Sequence, residues 1–333
     1  MFTANPTSFE AFGFNRGWDK YEVFSPVSGV ANRGPLLDGA HWIEARLSES
    51  KDERLVAMLH SRGGHPPWTA TAEEIRNLPP VDYSGPIEAR RAGEVLARAR
   101  MKRPRWRLTQ ADRERLEGFY ALALISEDQA LGALIANLRK LGLWDSTLLV
   151  VTSDVAIGGP GRVPFGDGEK LDEDLLELPL LIHFPGGRYG GKMIDAHTSS
   201  LDVLGTVLKA LGLQSPEGLG GRDLYEVAAN PERFVLRPQF ASVAREYSTR
   251  LGDLVLRGET PKAPVLCDLA LGQACAGPTP PSLAMVAGAL WRETYYYYRT
   301  AEPGRAAAAR EPATLDPDTL AALTVWGNQE TSP

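Results

Sequence analysis

Two segments of this chain hold side chains whose type and setting suit chemistry. The first is LVVTSDVAIGG, residues 149–159, an apolar run that ends on Asp154 and enters a loop of small residues. Ligands and metals in open α/β sheets collect at the carboxyl ends of strands. A carboxylate there either holds a divalent cation or accepts backbone N–H bonds from its own loop. Both readings are open for Asp154. The second is SRGGHPPW, residues 61–68, which follows the apolar RLVAMLH at 54–60 and carries His65 between glycines and prolines. An imidazole in a stiffened loop can accept a proton or donate to an anion; the alternative is packing beside Trp68. His60, at the end of the preceding run, reads as a core or supporting residue, and His183 and His197 read as structural. The charged run from Asp167 to Asp174 reads mostly as a solvated loop and helix face.

Several signatures are missing from the sequence. There is no phosphate-binding P-loop, no GxGxxG, no HExxH and no GxSxG elbow. The two cysteines, Cys267 and Cys275, stand eight residues apart in the C-terminal part, as one local disulfide or two thiols. No nucleophile can be named from the residues alone.

The elements that must position these side chains alternate. A helix is expected from about Asp38 to Leu47, then a short buried strand over Arg54 to His60. Phe12, Phe14 and Trp18 are expected to pin the Gly- and Pro-rich start onto a core. Thr109 to Leu141 has apolar residues at helical spacing, with Thr109 and Asp112 as a capping pair and Gly142 as the stop. Strands follow at Thr147–Thr152 and Pro179–Phe184, separated by a Gly-Pro loop and a short acidic helix. Another helix runs from Thr198 to Leu211. Alternation with apolar strands predicts an α/β fold, a mostly parallel sheet flanked by helices. From Phe234 the pattern changes to partial apolar-polar alternation, which predicts a small antiparallel C-terminal subdomain. A helix is expected from Pro281 to about Tyr298, with the YYYY run as packing at its end. The expected organisation is an α/β domain over 1–232 and a small α+β subdomain with a polar tail over 233–333.

Charge narrows the partners. The net charge of -6 argues against a nucleic-acid face, and the basic run from Arg90 to Arg107 reads as a solvated linker. No signal-peptide pattern and no membrane span are read in the sequence. The expectation is a cytoplasmic protein, or a periplasmic or exported one if an upstream segment supplies a signal.

An ordered series of motifs resembles the sulfatase family of the alkaline phosphatase-like superfamily. FYALALISEDQALGALIANLRKLGLWDSTLLVVTSDV resembles the family's long helix and the strand ending in SDHG or DNG. EKLDEDLLELPLLIHFPG resembles GKxxxYExxxRVPLIIxWPG. HTSSLDVLGTVLKALGL and PEGLGGRDLYE resemble the helix and turn that follow. FGFNRGWD resembles FGFxRGFD, HSRGGHPPW resembles the family's histidine loop, and Arg250–Leu269 resembles its C-terminal strands.

By this resemblance Asp154 is a metal ligand, His65 contacts the sulfate or its leaving group, and Lys170 stands in for the family lysine, whose own place falls on Gly168. Val155 occupies the position of a family His or Asn, and valine cannot coordinate a metal. The implied cofactor is a divalent metal, Ca or Mg, weak or absent here. The implied partner is a sulfate ester or another anionic small molecule. The family's formylglycine nucleophile, in a CxPSR-type motif, and its first pair of metal aspartates fall upstream of Met1. The resemblance therefore implies a sulfatase-like chain inactive by itself. The alternatives are a non-catalytic or regulatory partner of another chain, and a phosphoester hydrolase or phosphoglycerol transferase relative.

Overall fold

The computed structural model describes the chain except residues 26–33, 51–52, 93–107, 157–170, 172, 217, 219, 234, 244, 261, 273–276, 309–314 and 327–333. Two compact units are present. One comprises Met1–Trp144, Ile157–Gly168 and Ala313–Pro333, the other Asp145–Ala156 and Glu169–Pro312.

The first unit is built on a parallel sheet, in the order β2-β1-β3, from β1 (Phe2–Thr3), β2 (Glu22–Val23) and β3 (Leu59–His60). Phe2 stands opposite both Glu22 and Leu59, and Thr3 opposite Val23 and His60. The central strand lies at the very start of the chain, where Phe2 and Thr3 are fully buried. Two corrections to the sequence reading follow. Phe12 and Phe14 are 42% and 47% exposed and pin nothing, whereas Phe2, Ala4 and Phe24 form the local core. The run from Arg54 narrows to a two-residue strand, with Val56 and Met58 exposed.

Among the described residues, the helices α1 (Gly34–Glu49), α2 (Ala72–Asn77) and α3 (Gln110–Lys140) flank this sheet in sequence. α3 begins as expected. Thr109 accepts from the Asp112 N–H at 3.1 Å, and Asp112 accepts from the Thr109 N–H and hydroxyl, each at 2.8 Å. These bonds satisfy donors that every helix start leaves without intrahelical partners. The buried stripe runs Leu116, Phe119, Ala123, Glu127, Ala130, Leu134, Leu138. Its N-terminal half packs on Trp68, Leu78 and Ile87, and its C-terminal half on Ala40 and Ile43 of α1. The sequence reading expects no membrane span, yet α3 has the length and hydropathy to cross one. Its stripe instead lies in two packed cores, with Glu127 and Asp128 at mid-helix.

The second unit opens with β4 (Leu149–Thr152), followed by α4 (Glu173–Leu176) and β5 (Leu180–His183). β4 and β5 pair antiparallel, with Leu149 opposite His183 and Thr152 opposite Leu180. α5 (Ser200–Ala210) is capped by Ser199, and Gly212 leaves the helix end at φ +71. α6 (Leu224–Ala229) is tied to α5 through Asp202, which accepts from the N–H groups of Ser199 and Arg222 and pairs with Arg237. Glycine is required at 221, since a Cβ there would lie 2.1 Å from the Leu201 carbonyl oxygen.

The C-terminal sheet is antiparallel, as expected, in the order β6 (Gln239–Val243), β7 (Glu246–Leu251), β8 (Leu254–Glu259), β9 (Val265–Asp268). α7 (Ala284–Ala308) packs Leu290 onto Leu256 and Leu266. Along the tyrosine run, Tyr297 stacks on Phe240 at 4.0 Å and Tyr298 donates to the Ala241 carbonyl at 3.0 Å. Cys267 is disulfide-bonded, while Cys275 lies outside the described residues. The last helix, α8 (Pro317–Trp326), belongs to the first unit. The fold is thus α/β, with a parallel sheet flanked by helices and a separate antiparallel sheet toward the C-terminus.

Candidate functional site

His65 is held by a loop that is fixed from several directions. After β3 ends at His60, Gly63 turns the chain at φ +55, in the left-handed region that favours glycine. The His65 N–H closes that turn on the Arg62 carbonyl at 3.1 Å. Trp68 is 1% exposed and stacks on Phe119 of α3 with ring centroids 5.8 Å apart. Its indole Nε1 donates back to the Gly64 carbonyl at 2.6 Å. Gly64 lies so close to α3 that a Cβ would stand 2.0 Å from the Tyr120 ring. The loop therefore meets α3 at Phe119 and Tyr120 and binds itself between residues 64 and 68.

The imidazole orientation follows from one contact. His65 Nδ1 lies 2.7 Å from the Pro66 carbonyl oxygen, which can only accept. Nδ1 therefore carries the proton in the neutral ring, and the Nε2 lone pair is the basic position. A half-buried imidazole in this tautomer can take up a proton at Nε2, or donate from Nε2 to an anion once protonated. His60 lies nearby in sequence at the carboxyl end of β3, where its Nε2 is 3.4 Å from the Asn5 amide nitrogen. Asn5 in turn caps the turn Pro6–Ser8 by accepting from the Thr7 N–H at 3.0 Å.

The same loop holds a buried residue that sequence reasoning did not single out. Arg62 is 6% exposed. Burial pulls its guanidinium down to about 10, and the negative charge of Glu127 acts in the opposite direction. Glu127 is itself buried, on the stripe of α3 between Ala123 and Ala130. A signal for it was in the sequence: a carboxylate in register with an apolar helical stripe needs a cationic or hydrogen-bonding partner.

Asp154 is set differently. It follows β4 in the second unit and is exposed, as is Val155, at 54%. The Ser153 hydroxyl donates to the Val155 carbonyl at 2.5 Å, and the Thr152 hydroxyl to the Pro179 carbonyl at 2.8 Å. Divalent cations of the Ca or Mg class take six or more oxygen ligands, several from the protein. Among the described residues, no three His, Cys, Asp or Glu side chains come together as a metal site. The described surroundings of Asp154 thus do not fit a resident metal. Lys170 and Gly168 lie outside the described residues.

The profile of the sulfatase family matches residues 35–213, more than half of the chain. The chain belongs to the sulfatase family. It is 33% identical over 123 residues to an ulvan-active sulfatase from Formosa agariphila, covering 36% of this chain and 24% of that protein. It is 28% identical over 123 residues to a multifunctional alkaline phosphatase superfamily protein from Trinickia caryophylli, covering 35% and 23%. The matched stretches thus span about a quarter of each relative's length. In fold it resembles a phosphonate monoester hydrolase from Silicibacter pomeroyi, with a TM-score of 0.56, 19% identity, and coverage of 88% of this chain and 68% of that one. The matched family region includes both the His65 loop and Asp154.

Proposed function

We propose that this sulfatase-family chain carries one part of a sulfuric ester hydrolase site and does not turn over substrate by itself. In this reading His65 receives or returns the proton at the leaving-group oxygen. Lys170, outside the described residues, stands in for the family lysine, and Asp154 supplies one ligand of a divalent metal whose remaining ligands come from elsewhere. The substrate class is a sulfate ester or a related anionic small molecule. The observation that carries the reading is the His65 ring, fixed with Nδ1 on the Pro66 carbonyl so that Nε2 is the working nitrogen. Exposed Val155 beside Asp154 supports the lack of independent turnover, because it offers no donor atom to a metal. The disulfide at Cys267 supports an oxidising compartment, such as the periplasm, over the cytoplasm.

The test is hydrolysis of 4-nitrophenyl sulfate and 4-nitrophenyl phosphate by the purified chain, with Ca²⁺ or Mg²⁺. The expected result is no turnover above that of a His65→Ala variant. Metal-dependent turnover abolished by His65→Ala or Asp154→Ala would overturn the proposal that the chain is inactive alone. A preference for phosphate over sulfate would favour the phosphoester reading. A second arm adds a family segment carrying CxPSR and the paired aspartates. Turnover that appears there and is lost in His65→Ala supports the divided site; no turnover there favours a non-catalytic partner.

A further inference from the structure

We infer that the outer face of α7 is a docking surface for a sulfated saccharide chain. The ligand class rests on the sulfate-ester reading above, but binding at this face requires no turnover. The tyrosine run divides along the helix. Tyr297 and Tyr298 turn inward onto β6, on the side where Leu290 and Thr294 are buried. Tyr295 and Tyr296 turn outward and are 51% and 59% exposed, and Trp291 is 41% exposed. The helical period sets Trp291, Tyr295, Arg299, Arg292 and Tyr296 in that order around one outer arc. Glu293, the one carboxylate between Ala284 and Thr300, falls outside that arc.

Rings and cations are interleaved on this face. The Arg299 guanidinium lies over the Tyr295 ring at 6.0 Å, and Tyr295 meets Tyr296 edge to face at 6.0 Å. Trp291 is steadied by Tyr247 of β7, with ring centroids 5.4 Å apart. Arg292 is exposed, with no carboxylate partner among the described residues. The negative face of an aromatic ring attracts the C–H groups of a sugar ring. A guanidinium binds a sulfate through paired N–H donors. The order around the arc favours this occupant over a protein or a bilayer. Protein interfaces put an apolar core inside a polar rim, and a helix lying on a bilayer puts its apolar stripe at the centre. Here the two guanidiniums hold the centre and the rings flank them. The net charge of -6 weighs against nucleic acid, which also stacks on aromatic rings.

The experiment is biolayer interferometry of the full chain at physiological salt on immobilised dextran sulfate, neutral dextran or single-stranded poly-dT. The wild type should bind dextran sulfate and neither of the others. Tyr295→Ala and Arg292→Ala should each weaken that binding about tenfold. Both residues are exposed, and circular dichroism should show both variants folded. Arg188→Ala removes an exposed arginine elsewhere in the same unit and should change nothing. His65→Ala should bind as the wild type does, so loss of the hydrolytic reading would leave this result standing. The inference is overturned if the wild type does not bind dextran sulfate. It is also overturned if Arg188→Ala weakens binding as much as the α7 variants, or if neither α7 variant weakens it. Tighter binding to poly-dT or to phosphatidylglycerol vesicles, or a dimer in sedimentation that Tyr295→Ala breaks, would overturn it in favour of that partner.

Discussion

The His65 loop and the Asp154 loop both follow strands of one sulfatase-family chain, yet they are supported very differently. The first is tied to α3 by an aromatic stack and a close glycine contact, and the ring it carries has a defined tautomer. The second continues from a half-buried strand into exposed residues, where the Thr152 and Ser153 hydroxyls donate to the Pro179 and Val155 carbonyls. The difference shows where precision in this chain resides. A proton-handling group works only when its ring is aimed, and aiming needs packed neighbours. A metal ligand is aimed largely by the metal and its companion ligands, which the described residues do not assemble around Asp154.

If this contrast holds, substitutions under the His65 loop should matter far more than those beside Asp154. Trp68→Ala removes a fully buried indole, its stack on Phe119 and its bond to Gly64. It is expected to cost about 3–5 kcal/mol, seen as a fall in the urea midpoint for the first unit. A loss below about 1 kcal/mol would mean that the loop is not anchored there.

Next in size is Asp112→Asn, at the start of the helix on which Trp68 packs. Burial pushes the Asp112 carboxyl up, but bonds from Tyr83 and Thr109 outweigh this and hold it below its ordinary value. Loss of the capping carboxylate should cost about 1 kcal/mol. A depressed folded-state value stabilises the protein at pH above the unfolded carboxyl, near 3.9, and this contribution is lost as pH falls through the folded value. The gap in melting temperature between wild type and Asp112→Asn should therefore be full at pH 7 and close below about pH 4. A gap that widened in acid would contradict the assignment.

Smallest is Asp154→Ala, expected to change stability by no more than about 0.5 kcal/mol in thermal melts of the isolated chain. A larger loss would show that Asp154 serves its own loop as a structural cap, which was the other reading of its position.

Much of this arrangement was legible in the sequence, for reasons that differ by element. α3 announced itself through Thr109, Asp112 and a stripe long enough for the helical period to be unmistakable. The family motifs located His65 and Asp154. The central strand β1 was not legible, because two residues cannot display a period and Phe2 and Thr3 looked like an irregular start. Phe12 and Phe14 are exposed despite their aromatic rings, because the local core is filled from Phe2 and Phe24 instead. The burial of Arg62 and of Glu127, 65 positions apart, is set by tertiary packing that no local pattern spans.

The most direct test of the contrast is the metal content of the purified chain. It should be equilibrated with Ca²⁺ or Mg²⁺, dialysed, and measured by inductively coupled plasma mass spectrometry beside Asp154→Ala. The account predicts no stoichiometric metal in either protein. One equivalent bound by the wild type and lost in Asp154→Ala would contradict it, and would show that this chain builds a complete metal site around Asp154.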